Sequence, residues 1–182
     1  SEEILTISIQ DYTTKNIITW GVKPFVNKQS NVKYIECSSE YGLLQSFINY
    51  WDANIPEVIT GWNIQFYDVP YICRRLNRVV GEKAMKRFSP WGLVTENEIF
   101  VNGRKQICYD VGGITQLDYL DLYKKFTYKA QESYRLDHIA EVELGQKKLD
   151  HSEFETFKDF YTQNWQKFVE YNIVDVELVD RL

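Results

Sequence analysis

The sequence predicts an α/β domain, and three observations carry that prediction. Short β-branched segments come first and then alternate with helical patterns, an order that builds a mixed sheet flanked by helices. Hydrophobic residues make up 44% of the 182 positions and aromatics 15%, which supplies one domain with a core and excludes a disordered chain. Across Ile59–Tyr71 the chain turns from strand to helix, and loops at the carboxyl ends of strands are where α/β folds collect ligands.

Ile4–Ile9 alternates as a strand with Leu5, Ile7 and Ile9 on one face, and Asn16–Val22 returns after a turn at Lys15-Asn16 to make a hairpin. Val32–Glu36 is a third strand. Glu40–Asp52 reads as a helix whose apolar face is Leu43, Leu44, Phe47, Ile48 and Trp51. Val58-Ile59 reads as the end of a buried strand closing at Gly61, and Val69–Val80 as a helix that stops at Gly81. Asp68 followed by Pro70 suits a helix start, with Asp as cap and Pro in the first turn. Lys83–Leu93 carries Pro90 and Gly92 and reads as irregular. Asn102-Gly103 between Glu98–Val101 and Lys105–Tyr109 is a strong hairpin signal, so an exposed hairpin is expected as an insertion near 98–109. Ile114–Leu117 is a short strand leading into the helix Tyr119–Phe126. Leu136–Leu144 is a helix ending at Gly145, Glu153–Tyr161 a weaker one, and Trp165–Leu182 the clearest, with Trp165, Phe168, Val169, Val176 and Val179 on one side.

Tyr171 and Asp175 stand at i and i+4 on that last helix and share a face at the margin of the apolar side. A half-buried carboxylate there is costly without a partner such as a metal ion. The net charge of −5 argues against a broad basic surface for polyanions, yet a site that grips phosphates through metal ions is itself acidic. No apolar run approaches the roughly 18 residues of a membrane span. Cys37, Cys73 and Cys108 are odd in number and widely spaced, so buried free thiols in a reducing compartment are expected.

Gly61-Trp62-Asn63 with Asp68, together with Tyr171-Asn172 and Asp175, resembles two of the three exonuclease motifs of family B DNA polymerases. Tyr119–Phe126 and Lys86-Arg87-Phe88-Ser89-Pro90 bring the resemblance close to the polymerases of large tailed bacteriophages. It spans nearly the whole chain. The resemblance implies a ribonuclease-H-like fold with a mixed five-stranded sheet, and 3′→5′ proofreading by two-metal hydrolysis at the 3′ end of single-stranded DNA. It assigns Asp68 and Asp175 as catalytic ligands of Mg²⁺ or Mn²⁺, Tyr171 as the group orienting the attacking water, and Asn63 and Tyr171 as substrate-binding residues, Asn63 beside the terminal nucleotide. The implied partners are that DNA end and the remainder of a parent polymerase in the cytoplasm of an infected bacterium, with no membrane.

The chemistry suits those residue types. Phosphodiester hydrolysis needs an activated water and charge stabilisation at both the attacking and leaving oxygens, which two divalent ions held by hard carboxylate oxygens provide. The departure from the family is at the start, where its first motif is a strand bearing Asp-x-Glu. No such pair precedes Ile4–Ile9, and Thr13 stands where a partner for Asp11 would be. The chain, opening on Ser1, reads as a fragment that begins after that motif, expected to be inactive alone, to bind metal weakly and to self-associate through Ile4–Ile9. Arg135 stands where the phage family usually has Ser, either as a phosphate contact or as a solvent-facing side chain. Trp62 reads as packing. Asp118 and Asp121 read as helix capping and solvent exposure, Asp137 as a helix start, and His138 and His151 as residues without a role. The competing reading is a module that holds a single-stranded 3′ end without cutting it.

Overall fold

In a computed structural model that describes residues 2–146 and 157–182, the chain divides into two compact units. The first contains residues up to Ile4 and Ser39–Tyr128, and the second Leu5–Ser38 and Lys129–Leu182. His151 and the start of the expected helix Glu153–Tyr161 lie outside the described residues.

The first unit holds α1 (Glu40–Ala53), β4 (Val58–Gly61), α2 (Val69–Arg75), α3 (Glu82–Lys86), β5 (Val94–Val101), β6 (Arg104–Val111), β7 (Thr115–Asp118) and α4 (Tyr119–Phe126). In α1 the five residues read as its apolar face are all buried, and Trp51 stacks on Phe88 at 4.6 Å while its indole N–H donates to the Phe88 carbonyl at 2.9 Å. A buried ion pair ties α1 to α2. Glu40 takes a two-pronged grip from Arg75, with Nε to Oε2 at 2.9 Å, and also accepts the Ile4 N–H at 2.5 Å. Lys83–Leu93, read as irregular, begins with the short helix α3 and continues in turns.

The second unit holds β1 (Thr6–Gln10), β2 (Ile17–Gly21), β3 (Val32–Glu36), α5 (Leu136–Leu144), α6 (Phe157–Gln163) and α7 (Trp165–Arg181). The hairpin β1–β2 is antiparallel and β3 joins β2 in parallel. Asp11 makes the turn by accepting the Thr13 and Thr14 N–H groups, with Lys15 at φ 63°. Ile17 and Val32 from the sheet pack with Phe160, Trp165, Phe168, Val169 and Ile173.

The mixed α/β class holds, and among the described residues the strands pair as β1-β2-β3, β4-β7 and β5-β6. Val58, expected to be buried, is 53% exposed. The reason is that among the described residues β4 has a neighbouring strand on one side only and shows the alternation of a half-covered strand, with Val58 and Thr60 outward. The hairpin is longer than expected, and Asn102 and Gly103 both have positive φ, as its two-residue turn requires. Its tip is open, with Phe100 76% exposed, while Cys108, Tyr109 and Val111 near its base are buried. Cys73 and Cys108 are buried free thiols, as expected, and Cys37 after β3 is only half-buried.

Candidate active site

Strand β4 delivers Gly61 to the end of a parallel pair, in register with Asp118 of β7. A Cβ at Gly61 would come within 2.4 Å of the branched Ile64 side chain, so only glycine allows the chain to pass. Asn63 then adopts a left-handed conformation, φ 59° and ψ 34°, one that asparagine tolerates better than most residues. Helical winding starts at Ile64, a full turn before the expected start.

That shift corrects the reading of Asp68. Its backbone is helical, its side chain caps nothing, and Pro70 lies inside a continuous winding rather than at its beginning. Proline removes a backbone donor, and its ring collides with the carbonyl four residues back. Here the preceding turn, Ile64–Asp68, is widened to a π turn, and the Val69 N–H reaches the Ile64 carbonyl. Such widened turns recur at functional sites. The Asp68 carboxylate is therefore released from capping.

Asp68 is solvent-exposed, yet the protein mass around its carboxyl strips enough hydration to push its pKa up to about 6. The negative charge of Asp118 adds to that shift and a bond to its own backbone N–H opposes it. Asp118 is 7% exposed, not solvated as expected. It does cap α4 as expected, through the Leu120 N–H at 3.1 Å, and it also accepts the Asn63 N–H at 2.8 Å and the Gln65 N–H at 3.1 Å. Asp121 is exposed, and Trp62 packs on Tyr123 with ring centroids 5.8 Å apart. A groove of about 310 Å³ lies in this unit between Gln65, Cys108–Gly112, Ile114 and Gln116, and Asp68 does not line it.

In the second unit Tyr171 and Asp175 follow one another on α7, on a stripe that has buried Phe168 before them and buried Leu178 after them. Both are half-buried. Ile173 and Leu178, rather than Val176 and Val179, join Trp165, Phe168 and Val169 in the buried set. The Tyr171 ring meets Phe160 edge-on at 6.1 Å. Burial, and then the charges of Asp175 and Asp137, push its phenol up to about 12 against the opposing pull of Arg135. Arg135 is a largely exposed side chain with its guanidinium 3.7 Å from the Asp137 carboxylate. Asp137 lies in the first turn of α5 and accepts the His138 N–H at 2.7 Å.

Asn63 and Asp68 thus belong to the first unit, Tyr171 and Asp175 to the second. Carboxylate oxygens match a hard divalent cation in kind. In number they do not complete a cage, because among the described residues no group of three or more His, Cys, Asp or Glu gathers to hold a metal ion.

Residues 1–139 match the family description for the exonuclease domain of DNA polymerase family B. The chain belongs to that family. It is 39% identical over 153 residues to the DNA-directed DNA polymerase of Enterobacteria phage T4, covering 83% of this chain and 17% of the relative. To the DNA-directed DNA polymerase of Escherichia phage RB69 it is 37% identical over 145 residues, covering 79% and 16%. The DNA polymerase catalytic subunit of Human herpesvirus 6B is 31% identical over 192 aligned positions, covering 98% and 19%. The chain therefore spans less than a fifth of the length of these relatives. No helix of the exonuclease domain's described residues is long and apolar enough to cross a membrane. Within it, the residue that sequence reasoning undervalued is Asp118. The available signal was its place at the end of a strand that could pair with the one ending at Gly61.

Proposed function

We propose that the chain is the 3′→5′ proofreading part of a family B DNA polymerase, with a ribonuclease-H-like fold, removing the terminal nucleotide of a single-stranded 3′ end. The observation that carries this is Asp68, a carboxylate set free of capping by the widened turn before Pro70, in a chain of the exonuclease family. In this reading Asp68 in the first unit and Asp175 in the second are each a candidate ligand of Mg²⁺ or Mn²⁺, and bound ions would supply charge stabilisation at the attacking and leaving oxygens.

The remaining roles fall to the chain itself. With its pKa pushed up to about 12, the Tyr171 hydroxyl stays protonated at neutral pH. It can donate a hydrogen bond that orients a water and cannot serve as the base. Asn63, held in its left-handed step, lies beside the terminal nucleotide in this reading. The partners are the 3′ end and the rest of the polymerase, and the compartment is the cytoplasm of an infected bacterial cell.

The test is a 5′-labelled single-stranded oligonucleotide incubated with the full-length protein and Mg²⁺. Stepwise shortening from the 3′ end, lost in Asp68→Asn, is the expected result. Retention of the oligonucleotide without shortening would establish the non-cleaving alternative instead.

A further inference from the structure

We propose that Asp118 is a positioning residue for the exonuclease site, pinning the Gly61–Asp68 loop so that Asn63 and Asp68 stand at fixed places. The inference rests on the exonuclease reading for its purpose and on hydrogen-bond geometry for its mechanism. Asn63 holds a left-handed backbone that the chain does not favour by itself, and its side chain makes no cap for the winding that follows. The first N–H groups of any helix lack partners within it. Here one carboxylate from another strand fills that need twice, taking the Asn63 N–H on Oδ1 at 2.8 Å and the Gln65 N–H on Oδ2 at 3.1 Å.

The same Oδ1 accepts the Leu120 N–H at 3.1 Å, so a single buried side chain joins the start of α4 to the start of the loop helix. The parallel register Gly61 to Asp118 brings the two strand ends side by side, which is what puts the carboxylate within reach. Both carboxyl oxygens are used, and a hydroxyl or an amide cannot reproduce all three bonds.

Capping and pinning separate by substitution. Asp118→Ser keeps a good cap for α4, because serine is among the preferred capping residues, and loses both the oxygen that holds Gln65 and, with a side chain one atom shorter, the reach to Asn63. Asp118→Asn keeps the cap and one acceptor. Both would be made in the full-length protein and followed by amide hydrogen exchange over residues 62–66 and 119–123, with turnover measured on the labelled oligonucleotide.

For Asp118→Ser the expected result is exchange about 10-fold faster at Asn63 and Gln65, little change at Leu120, and turnover lowered about 10–100-fold. Asp118→Asn should fall between it and the wild type. Unchanged exchange at Asn63 and Gln65 would overturn the proposal, and so would faster exchange with full turnover, since the residue would then be structural only. If the wild type leaves the oligonucleotide uncut, the exonuclease reading fails, while the exchange difference at Asn63 and Gln65 still decides whether Asp118 pins the loop.

Discussion

The two motif regions present a carboxylate in opposite ways. Asp175 stands on a regular helix, and its partner Tyr171 is one turn away by the arithmetic of the helix alone. Asp68 depends on a glycine that lets the chain past Ile64, a left-handed asparagine, a widened turn and a carboxylate from another strand. One arrangement is local and repetitive, the other assembled from distant pieces. The difference predicts that the Asp68 region is the more fragile to substitutions that leave the acid untouched.

The largest expected effect treats the two acids as equals. Asp68→Asn and Asp175→Asn should each lower exonuclease turnover by more than about 10³-fold, measured on single-stranded DNA under saturating Mg²⁺. If either acid proved dispensable, the parity would break. Next comes Tyr171→Phe, which keeps the ring and its contact with Phe160 and loses the hydroxyl. Turnover should drop on the order of 10–10³-fold, less than for the acids, and equal loss would rule out a purely orienting role.

The asymmetry itself is probed by Gly61→Ala. One methyl forced against Ile64 should destabilise the protein by about 1–3 kcal/mol in chemical denaturation, and an unaltered midpoint would show that the passage is not tight.

A smaller effect concerns pH. A carboxyl whose folded pKa is raised above 3.8 contributes stability when protonated, and that contribution is lost as pH climbs towards about 6. Metal-free Asp68→Asn should therefore melt a few degrees above the parent at about pH 7.5 and gain nothing at about pH 4. A gain that persists in acid would place the origin elsewhere.

The smallest effect belongs to β1, an edge strand of its sheet. Light scattering of this chain at high concentration should show a minor self-associated fraction, and a strict monomer would remove the idea.

The elements legible in the sequence were those whose pattern is local. The apolar face of α1, the existence of α5 and α7, the Asn102-Gly103 turn and the glycine stops at Gly81 and Gly145 all carry their cause within a few residues. Asp68 carried two readings because Asp followed by Pro at the second place is also what a helix start looks like, and the widened turn speaks against the cap. Asp118 misled because two of its three donors lie 53 and 55 residues away in sequence. Val58 misled because a β-branched residue says nothing about how many neighbours its strand has.

The Glu40–Arg75 pair has a consequence for how this domain can evolve. Each charge is buried against the other, and losing one partner takes from its mate the charge that offsets its burial, at a cost of about 3–5 kcal/mol. A domain of ordinary stability has about 5–15 kcal/mol in total. Drift at position 40 or position 75 alone therefore leads toward unfolding, even where a well-packed apolar pair would serve as well. The route between those two solutions passes through a valley, and lineages should cross it by a double change or stay where they are.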